Sequence, residues 1–549
     1  MDDNHLSQDD RSAQTGRPRV PEGRRATRRR PDGSLSPVER PTVAEREERD
    51  REQLEALVPE PVRRRIGSHA TGEGSEGERT APGARAPRSR EPRPPRQHTS
   101  RNPIARAANR WFDRVMGGIA DGGLSEQEAQ YASHRTSRDF IWNSIGVGAW
   151  GMVFPILTMI ATQLAGVEQA GMFSMAFVTG SLLMIIANFG VRTYQISDVE
   201  ETHSFVDYQV NRWITCVLMV IVGLVYCALR GYETEMFYIS LGVYLYRMID
   251  GLADVYEGRL QQVDKLYLAG ISQAIRSVLA LVVFAILLLI TRNMVVASFA
   301  MALAAAASFV VVTYPLALLE TPKSRKVSFG SVATLFKNTA PLFLALFLYA
   351  LIDNMPKFVM EGMLSYDNQL YFNALYFPAQ GILITSQLVY KPLLVRMAGV
   401  WQDRSAHRKF DLIMVGILVV IVVITLANVA VMAWIGVPIM NFLYGIDFEP
   451  YRGLMFIMLA AGGVTAAIDF LYQTITVMRR QKDVTTLYFV TFGFSLFVPI
   501  LLVMFTGLPG AILSYLIVMT LLFVLLVWEY LRIRRDLAHR RSEDAAEEA

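Results

Sequence analysis

The chain has 549 residues, and 52% of them are hydrophobic. Its 54 Lys and Arg residues against 50 Asp and Glu residues leave a formal net charge of only +4. The apolar composition argues against a soluble protein. The small net charge averages an Arg-rich first hundred residues, basic loops and a nearly uncharged apolar part, and no nucleic-acid partner is expected.

The first hundred residues differ in composition from the rest of the chain. Residues 1–110 contain no Phe, Trp or Tyr, and stretches such as RRATRRRPDG are dense in Arg. Such a segment cannot bury enough apolar surface to offset its ordering entropy, so residues 1–100 are predicted to form a disordered cytoplasmic tail. No apolar stretch follows the basic start, which argues against a signal peptide.

Residues 101–135 form a short juxtamembrane segment before the first long apolar stretch. Its apolar side chains recur at helical spacing, at Ile104, Ala108, Trp111, Phe112, Val115 and Ile119. With arginines beside this face, the pattern predicts an amphipathic helix that lies on anionic lipid. A linker with an accidental pattern is the alternative.

The cysteines and histidines exclude several kinds of site. Cys216 and Cys227 are eleven residues apart in one apolar stretch, which on a helix is roughly 16 Å and too far for a disulfide. The seven histidines all fall in the tails or in polar loops. The sequence therefore predicts no cofactor, no metal centre and no His-based catalysis, and the protein is not expected to be an enzyme.

Twelve segments are apolar over the roughly 20 residues that a helix needs to cross a bilayer. They lie approximately at 139–164, 172–191, 213–230, 236–256, 267–290, 294–318, 341–363, 370–393, 410–434, 453–476, 485–506 and 511–532. The sequence thus predicts an all-α membrane protein with 12 transmembrane helices.

The loop charges predict the orientation of these spans. If both termini are cytoplasmic, sixteen Lys and Arg residues lie in the inner loops and only Arg230, Arg292 and Arg452 lie in the outer ones. This asymmetry follows the positive-inside rule and supports an even number of spans.

The two halves of the membrane part resemble each other weakly. EQAGMFSMAFVTGSLL (168–183) and NQLYFNALYFPAQGIL (368–383) align at an offset of 200 residues, and each helix then ends at a cation near a Tyr, Arg192 or Lys391. We therefore predict two six-helix lobes that face a central cleft, as in transporters. The predicted boundaries are 136–320 and 341–534 for the lobes, 321–340 for a linker and 535–549 for a charged cytoplasmic tail.

Few charged residues lie within the apolar cores of the predicted spans. They are Arg247, Asp250 and Asp254 in span four, Arg276 in span five, Asp353 and Lys357 in span seven, and Asp469 in span ten. Each would cost roughly 2.5–3.5 kcal/mol at the bilayer centre, so they are expected to face water or one another.

Span four gathers its charges on one face. Positions 247, 250, 254, 257 and 261 fall within about 80° of arc on a helix. The functional interpretation is a hydrated wall of a substrate path, and the alternative is internal pairing at a packed surface. In span seven, Asp353 and Lys357 are spaced for an ion pair, whereas Asp469 has no partner nearby in the sequence.

Several motifs resemble those of a known family. The pattern R-x-Y-Q-x-S-D that closes span two (192–198), DVYEGRLQQVDKLYLAG (254–270), FLYGIDFEPYRGLMF (442–456) and MRRQKD (478–483) are similar to the polysaccharide-repeat (Wzx-type) flippases. These belong to the multidrug/oligosaccharidyl-lipid/polysaccharide (MOP) exporter superfamily. The resemblance covers about residues 135–535.

This resemblance implies a flippase of the bacterial cytoplasmic membrane. Its substrate would be an undecaprenyl-diphosphate-linked oligosaccharide for cell-surface polysaccharide, and its partners would be membrane lipids and other polysaccharide-assembly proteins. Cations in the cleft would meet the diphosphate, and the matching candidates here are Arg192, Arg247, Arg276 and Lys391. Two features depart from the family pattern, namely the long arginine-rich N-terminal extension and a first span without a charge after Asp139.

Without a GxxxxGK[ST] motif, an ion gradient or the membrane potential is the expected energy source. The candidate ion-coupling residues are Asp250, Asp254, Asp353 and Asp469. The alternatives are a MATE-like drug or cation exporter, a lipid II flippase, and a membrane-bound enzyme of polysaccharide synthesis. The enzyme is disfavoured because the inner loops are short and basic.

Overall fold

The computed structural model describes residues 27–29, 35–37, 135–198, 201–320, 328–402, 407–478 and 480–547. The chain divides into two units, Met1–Arg96 and Gln97–Ala549. Most of the predicted tail and all but the last residue of the predicted amphipathic segment lie outside the described residues.

The described part of the first unit is one short pair of strands. Strand β1 (Thr27–Arg29) pairs antiparallel with β2 (Leu35–Pro37), and Arg28 lies opposite Ser36. The sequence between them, RPDGS, combines Pro, Asp and Gly, which favour a turn. The compositional prediction for the tail did not include this pair.

The second unit is helical throughout its described residues. The helices are α1 (Arg135–Ala165), α2 (Val167–Asn188), α3 (Val191–Ser197), α4 (Phe205–Arg230), α5 (Thr234–Gln262), α6 (Leu266–Thr291), α7 (Met294–Ser308), α8 (Tyr314–Glu320), α9 (Phe329–Met363), α10 (Asp367–Gln402), α11 (His407–Val431), α12 (Val437–Tyr444), α13 (Arg452–Val477), α14 (Gln481–Thr506) and α15 (Leu508–Glu547). A 3₁₀ turn, Glu449–Tyr451, precedes α13.

Ten of the described helical segments are long and apolar enough to cross a membrane. Helices α5 and α10 match predicted spans four and eight but are not among these ten, and both carry several polar residues. The chain is therefore a multi-pass, all-α membrane protein. That twelve helices cross the membrane, with both termini in the cytoplasm, stays a prediction.

Two helices extend beyond the predicted boundaries. Helix α9 begins at Phe329, inside the segment expected to be a linker, and α15 continues through most of the predicted tail to Glu547. The tail sequence is rich in Ala, Arg and Glu, all of which favour helix, so charge alone did not end the helix there.

Proline explains two irregular segments. The backbone has π geometry at Phe309–Thr313, between α7 and α8, and at Met432–Gly436, between α11 and α12. Pro315 and Pro438 follow two residues later. A proline lacks the N–H for the regular helical bond and its ring crowds the carbonyl four residues earlier, which shifts the ladder locally to the wider π spacing.

Helices α1 and α6 cross at a pair of glycines. A Cβ placed on Gly146 would lie 2.4 Å from the carbonyl oxygen of Gly270, and one on Gly270 would lie 2.3 Å from the carbonyl oxygen of Trp142. Only residues without a side chain allow this approach. The crossing holds α1 close to the charged helices of the first half, which comprises α1 to α8.

Candidate functional site: buried charges in both halves

The charged face of α5 is packed against α1 and α6. The carboxylate of Asp250 accepts hydrogen bonds from Arg276 Nε (2.8 Å), Trp150 Nε1 (3.0 Å) and Arg247 Nη1 (3.3 Å). Asp250 is 2% exposed and Arg276 is 1% exposed. A buried carboxylate is tolerated only when its oxygens are bonded in this way.

Arg276 joins two carboxylates of α5. Its Nη1 lies 2.6 Å from Oε1 of Glu257, while its Nε bonds Asp250. Ser272 donates to the same oxygen of Glu257 and also lies 2.7 Å from the hydroxyl of Thr313, in the first π segment. Removal of this one cation would leave Glu257 without its ion-pair partner and Asp250 with only the longer ion pair to Arg247.

Arg247 is held mainly by neutral groups. Its Nη2 donates to Ser181 Oγ at 2.9 Å, and its guanidinium carbon lies 4.1 Å from the ring centroid of Phe177. The ion pair with Asp250, at 3.3 Å, is the longest of those described in this network. A cation–π contact of this kind favours a desolvated guanidinium.

Asp254 bridges two arginines one turn further along α5. Arg192 Nη1 lies 2.8 Å from Oδ1 and Arg212 Nη2 lies 2.8 Å from Oδ2. Arg212 is fully buried and also donates to the carbonyl of Ala187 and to Oδ1 of Asn188. From the sequence, Arg212 is one of the sixteen cations predicted to lie in the inner loops, because it stands at the edge of an apolar run. The structure shows that it is instead buried and paired.

The structure places all the charged residues of span four in two paired clusters, one around Arg276 with Arg247, Asp250 and Glu257, and one around Asp254 with Arg192 and Arg212. Arg247, Asp250 and Glu257 are buried, so in this conformation the face does not form the hydrated wall that the functional interpretation predicted. The alternative, internal pairing, describes this state, because each carboxylate is matched with at least one guanidinium. Whether any of these residues binds substrate stays a prediction.

Arg192 differs from the other arginines of the two clusters because its side chain is 29% exposed. It lies on α3, which follows two left-handed residues, Phe189 (φ 45°) and Gly190 (φ 67°). Burial would lower the pKa of Arg192, but Asp254 and Glu257 outweigh burial and raise it above its ordinary value. Arg192 is therefore a permanent cation at the predicted cytoplasmic end of the first half.

The second half, α9 to α15, holds its acids differently. Asp353 accepts hydrogen bonds from the hydroxyls of Tyr376 (3.2 Å) and Tyr515 (2.7 Å). Lys357 donates instead to Asn354 Oδ1 at 2.9 Å and lies 4.3 Å from the ring centroid of Tyr376. The direct Asp353–Lys357 ion pair considered from the sequence is wrong, because the tyrosines and Asn354 take up both groups.

Asp469 also has neutral donors. Gln387 Nε2 donates to it at 2.9 Å, and the hydroxyl of Tyr390 donates to the same oxygen. Lys391 reaches this carboxylate only indirectly, since its Nζ donates to Gln387 Oε1 at 2.8 Å. Among the described residues, no group of three or more His, Cys, Asp or Glu side chains is arranged to hold a metal ion.

The two halves place a cation and an acid on corresponding helices. Arg192, after predicted span two, bonds Asp254 of span four, and Lys391, at the end of span eight, reaches Asp469 of span ten through Gln387. A duplicated lobe would produce this arrangement, and the duplication itself stays a prediction from the sequence. The linkage is direct and ionic in the first half, whereas it runs through an amide in the second.

The halves contact each other at the predicted outer end. Glu361 of α9 accepts from Arg230 Nη2 (2.9 Å), from the hydroxyl of Tyr226 (2.5 Å) and from the hydroxyl of Tyr232. We call these four residues the outer seam. Sequence analysis missed Glu361 because it stands at the last turn of an apolar helix, where a charge is unremarkable.

A second set of contacts joins the halves at the predicted cytoplasmic end. Asp207 of α4 accepts from the backbone N–H of Ser328 (3.2 Å) and from Ser331 Oγ (3.0 Å), and His203 Nδ1 lies 2.7 Å from the same hydroxyl. These four residues form the inner seam. Since α4 and α9 provide most of both seams, this edge of the molecule is closed at both ends.

Asp198 organises the loop that leads to the inner seam. It accepts hydrogen bonds from Thr202 (backbone N–H and hydroxyl), from the N–H of His203 and from the hydroxyl of Tyr208. Burial would raise the pKa of Asp198, but these hydrogen bonds outweigh burial and lower the pKa below its ordinary value. The loop therefore depends on an ionised carboxylate.

No protein-family model matches the sequence, and no curated protein is similar to it in sequence. Solved structures are similar in fold. An inward-facing multidrug-resistance MATE transporter of the MOP superfamily matches with a TM-score of 0.51 and 13% identity, over 71% of this chain and 98% of that one.

A lipid II flippase, MurJ, in an inward closed conformation matches with a TM-score of 0.57 and 11% identity, over 71% of this chain and 87% of that one. At these identities the similarity concerns the fold. Both matched proteins are membrane transporters or flippases. The chain therefore shares the all-α membrane fold of these two proteins.

Proposed function

We propose that this protein is a flippase of the bacterial cytoplasmic membrane. It moves an undecaprenyl-diphosphate-linked oligosaccharide from the inner to the outer leaflet by alternating access, for cell-surface polysaccharide. The observation that carries this proposal is that the guanidinium groups paired with the carboxylates of α5 outnumber them by one, and that one of these arginines, Arg192, is partly exposed.

The charge balance of the first half favours an anionic headgroup. Four arginines (192, 212, 247 and 276) face three carboxylates (250, 254 and 257), which leaves a net positive charge of one, located in the cluster around Asp254. A diphosphate needs planar donors that can bond two oxygens at once, and the guanidinium supplies them. Lys391, exposed in the second half, adds a cation at the same predicted end.

The fold supports a lipid-linked substrate. One similar structure is a lipid II flippase, and the lipid tail of such a substrate needs no pocket because it can remain in the membrane. Only the polar headgroup and sugars then have to pass between the halves. Membrane lipids and other polysaccharide-assembly proteins are the partners that this function requires.

The first half is suited to binding the substrate headgroup, and the second half is suited to coupling transport to an ion. Each oxygen of Asp254 is bonded to an arginine, and Asp250 is bonded to two, so neither is suited to bind a further cation. Asp353 and Asp469 have only neutral hydrogen-bond donors among the described contacts. These two acids are therefore the better coupling residues for a proton or a small cation.

The same two acids favour a second function. A carboxylate with neutral partners also suits an organic cation, and a multidrug-resistance transporter shares the fold. A drug or cation exporter is thus the second candidate. A lipid II flippase is a variant of the first proposal with another headgroup.

Reconstitution of the full chain into liposomes separates these functions. The vesicles contain a fluorescent prenyl-diphosphate-linked disaccharide, and dithionite bleaches only the outer leaflet. The first proposal predicts bleaching of the inner pool at a rate well above that of protein-free vesicles, and slower bleaching with Arg192→Gln. Ethidium transport without movement of the disaccharide would instead support the exporter.

A further inference from the structure

Asp254 is the residue whose surroundings the proposed function does not yet explain. Its two oxygens are bonded to two different arginines, Arg192 and Arg212, each at 2.8 Å. A carboxylate that is bonded on both sides is a poor ion site. It has the charge and the shape, however, of one end of a phosphate group.

The two arginines differ in their freedom to leave Asp254. Arg212 is fully buried and is fixed by the carbonyl of Ala187 (2.8 Å) and by Oδ1 of Asn188 (2.7 Å). Arg192 is 29% exposed, and its second Nη donates only to Gln261 Oε1 at 3.0 Å. A ligand that arrives from the cytoplasmic side can therefore take Arg192 without disturbing Arg212.

The short helix that carries Arg192 is linked to both halves. The ring of Phe189 stacks on that of Phe343 of α9 at 4.3 Å, and the hydroxyl of Tyr194 accepts from Asn338 Nδ2 at 3.3 Å. Gln195 donates to the carbonyl of Val255 on α5. After release of Arg192, α3 would therefore still be held to α5 by Gln195 and to α9 by Tyr194.

We propose that Asp254 is a specificity-determining residue, an internal anion that competes with the headgroup for Arg192. This inference rests on the proposed function and deepens it. A phosphodiester carries one negative charge, as Asp254 does, so it gains nothing in charge by displacing Asp254. A disubstituted diphosphate carries two, and its oxygens can occupy the guanidinium fork.

The competition keeps ordinary phospholipid headgroups from occupying Arg192. The cytoplasmic leaflet contains a large excess of monoanionic phospholipids, which basic side chains attract. An arginine without an internal partner would be occupied by these lipids. With Asp254 in place, only a headgroup of higher negative charge displaces this carboxylate and binds Arg192.

Two ligands with the same tail test this selectivity, the disubstituted diphosphate farnesyl methyl diphosphate, which carries two negative charges, and the monoanionic diester farnesyl methyl phosphate. Their binding to the purified full chain in detergent is measured by calorimetry. Wild type is expected to prefer the diphosphate by at least about tenfold, which corresponds to about 1.4 kcal/mol. Asp254→Asn should raise the affinity for the diester and reduce the preference to below about threefold.

Three variants distinguish competition from a structural role. Asp254→Glu keeps the charge and should keep the preference, whereas Arg192→Gln should lose affinity for the diphosphate alone. If Asp254→Asn does not fold, the double substitution Arg212→Gln with Asp254→Asn removes both buried charges together and frees Arg192.

The outcomes separate this inference from the proposed function. If wild type binds the diphosphate but neither the Asp254→Asn variant nor the double variant binds the diester more tightly than wild type does, Asp254 is not a competitor and the proposed function stands. If wild type binds neither farnesyl ligand, the proposed function falls and this inference falls with it.

Discussion

Glu361 and Arg230 come from opposite halves of the chain, and their side chains meet at 2.9 Å at the predicted outer end. Glu361 is nearly fully buried there, since its side chain is 2% exposed. Two tyrosine hydroxyls bond the same carboxylate. In an alternating-access transporter, this contact has to break each time the outer side opens.

Glu361→Gln should weaken the outer seam, because it removes the charge that Arg230 and both hydroxyls face. A reporter cysteine replaces Ser174, which is fully buried on α2 one turn from Gly171. Its reaction with a water-soluble maleimide added from outside should accelerate severalfold. Glu168→Gln, at an exposed acid at the start of the same helix, is the control. Equal rates in both variants would show that Glu361 does not hold the outer end closed.

Gly171→Ala should obstruct closure of the same end. A Cβ at this position would lie 2.1 Å from the carbonyl oxygen of Tyr366, on the opposite half. Overpacking of this kind costs about 1–3 kcal/mol, so the closed population should fall by roughly fivefold or more. Transport in liposomes should slow accordingly. Gly151→Ala, where the added Cβ meets open space, should transport normally.

Arg276→Ala should destabilise the first half strongly. It would leave Asp250 and Glu257 buried without their shared cation, and the loss of one partner of a buried pair costs about 3–5 kcal/mol. Chemical unfolding in detergent measures this change. Arg292→Ala, which removes an exposed arginine at the C-terminus of the same helix, should change little. A loss below about 1 kcal/mol for Arg276→Ala would show that the network contributes little to stability.

Asp353→Asn and Asp469→Asn should abolish the stimulation of transport by an imposed ion gradient. The reason is that their neutral partners leave these acids free to exchange a proton or a cation. Both variants should still bind farnesyl methyl diphosphate. Asp411→Asn is the matched control in the same half, because Arg534 bonds both oxygens of Asp411. If Asp411→Asn has the same effect as the other two, the coupling assignment is wrong.

Asp198 should make the protein less stable in acid. Because its pKa is lowered in the folded state, its contribution is complete above the unfolded value of about 3.9 and is lost as the pH falls through the folded pKa. The difference in melting temperature between wild type and Asp198→Asn should therefore be constant near neutral pH and shrink below about pH 4. A difference that does not change with pH would contradict the role of the ionised carboxylate.

Much of the fold could be predicted from the sequence, because apolar runs of about 20 residues and the asymmetry of loop charges report directly on the membrane. The α5 charges could also be assigned to one helix face from their spacing. Their partners could not, since Arg276, Trp150 and Arg212 come from other helices. Pairing across helices is a tertiary property that no local pattern encodes.

The outer seam and the inner seam were the least predictable part of the candidate site. Glu361 and Asp207 stand near helix ends, where charges are common and carry little information. Only the packing of α4 against α9 gives these acids a role, because it brings donors of one half to acceptors of the other. The left-handed backbone of Phe189 could not be predicted either, since a positive φ at a bulky residue has no sequence signature.

Transport by alternating access requires the two halves to separate at the outer end. In a background without Cys216 and Cys227, cysteines replace Gln163 and Leu443, which lie in opposite halves and are joined by a hydrogen bond from Gln163 Nε2 to the carbonyl oxygen of Leu443. A short bifunctional thiol reagent with a reducible link then connects them in liposomes that contain the labelled diphosphate lipid. We expect cross-linking to stop inner-leaflet bleaching and reduction to restore it. Undiminished bleaching in fully cross-linked protein would show that transport does not require the outer end to open.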